Sequence, residues 1–419
     1  MDKIAIYHNL TSGGSKRELY EFTKRFNRNG NTVHLYVHNI EKTSYLDLTD
    51  WVAETYLFPF NLINKILFTL PFLKPIINLI IDLLNILKID NVSKSMAREI
   101  DKNNYEFVFI HHNKDYVQSP FLLRYLKTKT VYFCNEPQRK FYDQGLITMV
   151  DRTKIYNEKR IIILYSKLTN LISNPCKSYL NRIIKKYDMQ NINYCDIVLA
   201  NSYYSREKIL SAYGVDSKVV YLGGDFFKTN RNVQKRGSHT IQSKVISVGA
   251  INPLKGYEFL IKALCFVKKE LRPILVIIGN STDRVYLKKI SEFALVQNVN
   301  IEIHENITDK ELIMHLQQAK IFLYAPYLEP LGLAPLEAMS FGVPVIAVKE
   351  GGPREYVINE HNGLSVDRDP KLFGNAISNL FINETLYNKL SKNAMRDIEK
   401  FWNWNMAFDR LCYAIEEVY

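Results

Sequence analysis

Short apolar runs alternate with amphipathic stretches through the second half of the chain, and most junctions carry a glycine, aspartate or proline. The runs Val245–Val248, Ile274–Ile278, Val299–Ile303, Ile321–Tyr324, Val345–Val348 and Gly363–Val366 predict buried strands of a parallel sheet. Stretches beginning near Tyr257, Asp283, Asp309, Pro335, Pro353 and Pro370 predict helices, several opening on the Asp or Pro favoured in a first turn. A looser version of the pattern fills residues 1–222, with strands predicted at Lys3–Tyr7, Thr32–Val37, Phe107–Ile110, Thr130–Phe133 and Ile197–Ala200. The fold class is therefore α/β, with two Rossmann-like, doubly wound parallel-sheet domains at 1–222 and 244–395. Gly223–Ser243, rich in Asn, Lys, Arg, Gly and Ser, reads as a linker, and 396–419 as a C-terminal helix packing back on the first domain. Ligands of such sheets bind at the carboxyl ends of the strands, so the site is expected in a central cleft that the two domains face.

Two stretches of the first half depart from plain sheet-and-helix units. Tyr56–Ile89 is dense in Leu, Ile and Phe, carries Lys65, Lys74, Asp82 and Lys88, and is punctuated by Pro59, Pro71 and Pro75. It has no uninterrupted run of the roughly 18 apolar residues that a spanning helix needs. Helices of this composition lie in a membrane interface or pack on their own sheet, and peripheral contact with an anionic membrane is the expectation taken forward. Asp151–Gln190 holds nine Lys or Arg against three acids, which suits either a solvated helix face or anionic lipid.

The 419 residues, 47% hydrophobic and 23% charged, are enough for two cores, and the net charge of +12 points to an anionic partner: a nucleoside diphosphate, anionic lipid or nucleic acid. Cys134, Cys176, Cys195, Cys265 and Cys412 show no CxxC spacing, so neither a disulfide framework nor a zinc site is indicated. The chain enters directly on the strand Lys3–Tyr7 rather than on a signal segment, and a cytoplasmic location, at the inner face of the cell membrane, is expected.

The densest chemistry lies in Glu329-Pro330-Leu331-Gly332-Leu333-Ala334-Pro335-Leu336-Glu337-Ala338-Met339. A strand ends at Tyr324, Gly332 lets backbone approach a ligand, and Pro335 in a first helical turn forfeits an N–H that is unpaired anyway. A helix mouth of this kind offers free N–H groups and a positive dipole end to a diphosphate. Carboxylates beside it are acceptors suited to sugar or ribose hydroxyls. An isolated pair of glutamates would read as an exposed helix residue and a loop charge; the flanking motifs argue otherwise.

Together these residues resemble the retaining glycosyltransferases of the GT-B fold, specifically the large glycosyltransferase family 4 group. The resemblance covers nearly the whole chain and is strongest over residues 245–365. The family's E-x7-E element is similar to Glu329 through Glu337, which implies that Glu337 holds the ribose, that Glu329 meets the transferred sugar, and that the N–H groups of Gly332, Leu333 and Ala334 face sugar and diphosphate. Val248-Gly249-Ala250-Ile251-Asn252-Pro253-Leu254-Lys255-Gly256 resembles the strand-loop-helix that carries an Arg and a Lys toward the diphosphate. Lys255 matches, whereas the Arg position is Ala250, for which Lys16, Arg17 or Arg354 are candidate substitutes. Glu350-Gly351-Gly352-Pro353-Arg354-Glu355 resembles the loop beside the sugar, with Gly351 and Gly352 allowing close approach. His304–Leu312 resembles the segment lining the base, with Ile307 as a wall. In the first domain, Asn9–Arg17 resembles the glycine loop over the donor phosphates, with Gly13 and Gly14 at its tip. His111, with His112 second, matches the strand-end histidine that meets the sugar, and Glu136-Pro137 and Asn201-Ser202 match turns on the same rim.

The resemblance implies a metal-independent hexosyl transfer from a nucleoside diphosphate sugar to a saccharide or lipid-linked acceptor, with no cofactor and no nucleic acid partner; GDP-mannose is slightly favoured over a UDP-sugar. Asp367-Arg368-Asp369 has the look of a metal-binding DxD, but it precedes Pro370, so Asp369 is read as an N-cap and no metal is expected. The alternative is a nucleotide-sugar-binding protein without transfer, prompted by Ala250. A dehydrogenase is disfavoured by the absence of GxGxxG after the first strand.

Overall fold

The computed structural model describes residues 2–10, 12–38, 46–65, 73–112, 116–143, 160–225 and 244–417, with side chains left out for 160–171. It divides into two compact units: residues 1–201, 206–219 and 414–419 form the first, and 202–205 with 220–413 the second. Most of the expected linker, residues 226–243, lies outside the described residues, as do residues 151–159 of the basic stretch.

The first unit is a wholly parallel seven-stranded sheet of β1 (Lys3–Tyr7), β2 (Thr32–Val37), β3 (Glu54–Leu57), β4 (Phe107–His111), β5 (Thr130–Phe133), β6 (Ile197–Ala200) and β7 (Lys218–Val219), in the order β3-β2-β1-β4-β5-β6-β7. Around it run α1 (Gly14–Arg28), α2 (Lys74–Asp101), α3 (Arg139–Tyr142), α4 (Arg160–Ile192) and α5 (Tyr203–Tyr213). Central strands β4, β5 and β6 are buried throughout, which is why they read as unbroken apolar runs. On one face Phe22 of α1 meets the rings of Phe109 and Phe133. On the other, Tyr36, Val108, Ile110 and Tyr132 join Met96, Ala97 and Ile100 of α2 in one core.

The second unit is a wholly parallel six-stranded sheet, β8 (Lys244–Val248), β9 (Ile274–Gly279), β10 (Ile301–Glu305), β11 (Ile321–Tyr324), β12 (Val345–Val348) and β13 (Gly363–Val366), in the order β10-β9-β8-β11-β12-β13. Its helices are α6 (Tyr257–Cys265), α7 (Arg284–Val296), α8 (Asp309–Gln318), α9 (Leu333–Ser340), α10 (Pro370–Ile382), α11 (Glu384–Lys400) and α12 (Trp404–Glu416). In each sheet the strand order reverses beside the first strand, between β1 and β4 and between β8 and β11. Loops leaving adjacent strands there diverge to opposite faces and open a crevice, so each switch point is a ready ligand site.

Several expectations are corrected. Edge strands β3 and β7 were not predicted; β3 is Glu-Thr-Tyr-Leu with partly or fully exposed side chains, which no apolar run announces. The strand expected at Val299–Ile303 begins at Ile301, because Val299 completes the end of α7: Asn298 has φ 52°, and the Asn298 and Val299 N–H groups donate to the carbonyls of Leu295 and Ala294. The helix expected at Pro353 is a single 3-10 turn, Gly352–Glu355. In Tyr56–Ile89 the first residues complete β3, and the helix starts only at Lys74, behind Pro71 and before Pro75. Asp369 accepts a hydrogen bond from Leu372 N at 2.8 Å and caps α10 as read.

Candidate active site

In the second unit the loops after β8 and β11, neighbours at the switch point, carry the candidate catalytic pair. Asn252 accepts from Leu254 N and sets a 3-10 turn, Pro253–Lys255, that ends by bringing Lys255 over the crevice. Lys255 Nζ donates to both carboxylate oxygens of Glu329, at 2.8 and 2.9 Å, with the two side chains 21% and 17% exposed. Around this ion pair lie three buried tyrosines. Tyr257 donates to the Gly249 carbonyl at 2.9 Å, and Tyr356 to the carbonyls of Leu331 and Gly332 at 3.2 and 3.0 Å. Burial first, and then the Glu329 charge, push the Tyr324 and Tyr356 hydroxyls well above their ordinary pKa, so both stay protonated donors.

Gly332 caps α9 at φ 83°, and a side chain there would run into the Tyr324 ring and hydroxyl. Leu333 and Ala334 follow as the first helical residues, so their N–H groups are among those an α-helix leaves without an intrahelical partner. Pro335 is the third residue of α9, where its missing N–H costs nothing. Glu337, further along α9, is only 3% exposed. Gly351 and Gly352 pack against the backbone of Glu329 and Pro330, and Gly352 N donates to the Glu329 carbonyl at 2.8 Å. The close approach expected of them is thus made to the Glu329 loop itself. Ile307 is half-buried in the turn before α8, next to the capping box of Thr308 and Glu311.

In the first unit, Gly13 is the N-cap and Gly14 the first residue of α1, after β1. At the end of β4, His111 faces α1 and is wholly buried, its ring stacked on Phe133 at 5.7 Å. Strand alternation decides this: Phe109 and His111 share the α1 face, and His112, on the other, is 9% exposed. Among the described residues neither ring nitrogen of His111 has a hydrogen-bond partner, and Glu18 Oε1 stands 3.5 Å from Nε2. Lys16 is buried 3.4 Å from His8 Nε2, and burial lowers its pKa to about 8 against the opposing pull of Asp47.

Residues 228–397, which hold Lys255, Glu329 and Glu337, match the family described as glycosyl transferases group 1. The sucrose-phosphate synthase of Spinacia oleracea is 28% identical to this chain over 174 residues, 38% of the chain and 16% of the synthase, so the chain spans about a sixth of the length of such relatives. Whole-chain structural likeness extends to Anabaena Alr3699/HepE solved with UDP and glucose, with a TM-score of 0.69, 15% identity and 100% of both chains covered. It extends equally to the sucrose-phosphate synthase of Thermosynechococcus elongatus, with a TM-score of 0.70, 15% identity, and 100% of this chain and 99% of that one covered. The GT-B architecture expected from the sequence is therefore the observed fold.

Within residues 228–397, one residue escaped the sequence reading. Arg368, met there only as the middle of Asp367-Arg368-Asp369, forks onto Glu350 at 2.7 and 2.8 Å and donates to the carbonyls of Ala325 and Pro326 at 2.9 and 2.6 Å. Its guanidinium lies 4.0 Å from the centroid of the Tyr327 ring. It thereby ties the loops after β11 and β12 beneath Glu329 and Gly351. Its signal was its place at the end of β13, two strands from β11. Of the cations named for the Ala250 position, Arg354 is exposed and Lys16 and Arg17 are buried. Among the described residues no group of three or more His, Cys, Asp or Glu is placed to hold a metal ion.

Proposed function

We propose that the chain transfers a hexose from a nucleoside diphosphate sugar to an acceptor hydroxyl, with retention of configuration and without a metal. The observation that carries this reading is the Lys255–Glu329 ion pair at the mouth of α9. An ammonium and unpaired helix N–H groups together form an anion site, and Glu329 neutralises the lysine in the absence of ligand. An entering diphosphate takes over Lys255, which releases the Glu329 carboxylate to accept hydroxyls of the sugar. Glu337 accepts from the ribose, Ile307 lines the base, and the backbone at Gly332, Leu333, Ala334, Gly351 and Gly352 borders the sugar and phosphates; within the first unit, Gly13 and Gly14 form a turn suited to phosphate. His111 serves the sugar from the end of β4.

In the transfer step the acceptor oxygen bonds to the anomeric carbon as the bond from that carbon to the diphosphate breaks. The acceptor proton passes to the departing phosphate oxygen on the same face. Lys255 and the α9 N-terminus stabilise the charge that grows on the diphosphate. GDP-mannose and UDP-glucose are the donors to test first; the UDP and glucose of the Alr3699/HepE structure weigh toward UDP.

The acceptor we propose is a lipid-linked saccharide at the inner face of the cell membrane. Leu73, which caps α2, and Ile76, Ile80, Leu84 and Leu87 on the helix stand exposed in one stripe, 41–55% accessible, and the same face continues as Lys88, Lys94 and Arg98. An apolar half followed by a cationic half suits a helix dipping into an anionic interface. Among the described residues no helix is long and apolar enough to cross a membrane. The deciding experiment incubates the protein with UDP- and GDP-hexoses and lipid-linked acceptors, reading product anomer by NMR with and without EDTA. Transfer with inversion, or transfer lost to EDTA and restored by manganese, refutes the mechanism; tight nucleotide binding without product favours the binding-protein alternative.

A further inference from the structure

Glu18 is a carboxyl group on the inner face of α1, and it is wholly buried. Its Oε2 accepts a hydrogen bond from Asn135 Nδ2 at 3.1 Å. Its Oε1 makes no hydrogen bond and faces His111 Nε2, also without one, at 3.5 Å. The ring of His111 is held flat against Phe133, with an interplanar angle of 2°, and meets Phe109 edge-on. Stacking therefore settles the plane of the ring, and only the group at its edge decides which nitrogen carries the proton.

We propose that Glu18 is a positioning residue, whose Oε1–H donates to His111 Nε2 and holds the imidazole as its Nδ1–H tautomer. One proton between Oε1 and Nε2 satisfies two buried atoms at once, and it belongs on Glu18 because the other arrangement, a carboxylate accepting from Nε2–H, would bury a full charge with both residues wholly sealed from solvent. Asn135 leaves no choice of oxygen, since it donates to Oε2. The surroundings favour the neutral pair: burial raises the Glu18 pKa, and burial with the nearby charges of His112 and Lys16 lowers that of His111. The same asparagine also donates to Ser15 Oγ at 3.0 Å and accepts from Asn201 Nδ2 at 2.7 Å. Glu18 thus joins the ends of β4, β5 and β6 to the turn that carries Gly13 and Gly14. The functional consequence rests on the reading that His111 serves transfer: Glu18 acts on the reaction through the tautomer of His111 and the seating of the glycine loop.

The test is long-range ¹H–¹⁵N correlation of ¹⁵N-histidine-labelled protein, with His111 assigned from a His111→Gln variant. The wild type is expected to show His111 as a neutral Nδ1–H tautomer from pH 6 to pH 8. Glu18→Gln, whose amide can donate to Nε2, keeps that signature and most of kcat. Glu18→Leu shifts the tautomer balance and lowers kcat by up to about 100-fold at an unchanged donor KM, the scale of a misplaced active-site group. Should Glu18→Leu fail to fold by circular dichroism, Glu18→Met takes its place. A doubly protonated His111 in the wild type, or an unmoved tautomer in the apolar variant, overturns the proposal. Full transfer by His111→Gln instead overturns the role of His111 in the reaction and leaves the tautomer result standing.

Discussion

Replacing Lys255 with Met separates a catalytic cation from a structural one. The lysine bridges both oxygens of Glu329 at 2.8 and 2.9 Å, and about four-fifths of each side chain is covered. Exposed ion pairs contribute about 0–1 kcal/mol, while orphaning one partner of a buried pair costs about 3–5 kcal/mol. A pair of this intermediate burial is expected to lose about 1–3 kcal/mol in Lys255→Met, measured by urea denaturation. Adding Glu329→Gln removes the stranded charge, so the double variant recovers part of that loss. Activity should behave differently. A preorganised group facing charge that develops in the transition state is worth about 10²–10³ in kcat, or roughly 2.7–4 kcal/mol, and no second substitution at Glu329 restores it. Nucleotide release coupled to a spectrophotometric assay measures both variants. If Lys255→Met loses stability yet keeps kcat within twofold, the lysine is only a partner for Glu329, and the proposed anion site is wrong.

Glu337→Gln keeps the shape of a buried side chain but loses the charge; nucleotide affinity by calorimetry should weaken about 10–100-fold, the 1.5–3 kcal/mol of a hydrogen bond to a charged group, and an unchanged Kd would sink the ribose role. Gly352→Ala drives a methyl into the Pro330 carbonyl, so chemical denaturation should show a loss of about 1–3 kcal/mol with a parallel fall in kcat; a neutral result would mean the Glu329 loop is not held by this contact. Because the folded state gives up the Lys16 proton near pH 8 and the unfolded chain near 10.5, the cost of the buried charge is full below pH 8 and fades as pH rises through that window. Lys16→Met should abolish this component of the rise in stability, seen as a wild-type-minus-variant difference that climbs between pH 8 and 10.5; parallel pH profiles would contradict it. Ile80→Glu with Leu84→Glu should release the protein from anionic vesicles in flotation while leaving transfer to a water-soluble acceptor intact, and undiminished flotation would remove α2 from the membrane.

Much of this molecule is legible in its residues. Central strands such as Ile321–Tyr324 and Val345–Val348 are buried on both faces, so burial itself writes the apolar runs that announce them. The mouth of α9 is equally local: Gly332 supplies a positive φ, Pro335 tolerates a first turn, and the helix follows. Elements decided by neighbours were not legible. Strand β3 exists because β2 offers it an edge, and Gly352 must be small because Pro330 lies against it. Lys255 and Glu329 are 74 residues apart, and nothing along the chain joins them. Strands β8 and β11 do, by lying side by side where the order of the sheet reverses. His111 could be placed at a strand end, but its direction toward Glu18 follows from which face α1 covers. The local pattern of apolar, glycine and proline positions is enough to determine the central strands and the opening of α9, because those depend on backbone preference and burial. Which charges meet, and which histidine is sealed inside, depends on contacts between distant segments, and only the folded sheet brings those segments together.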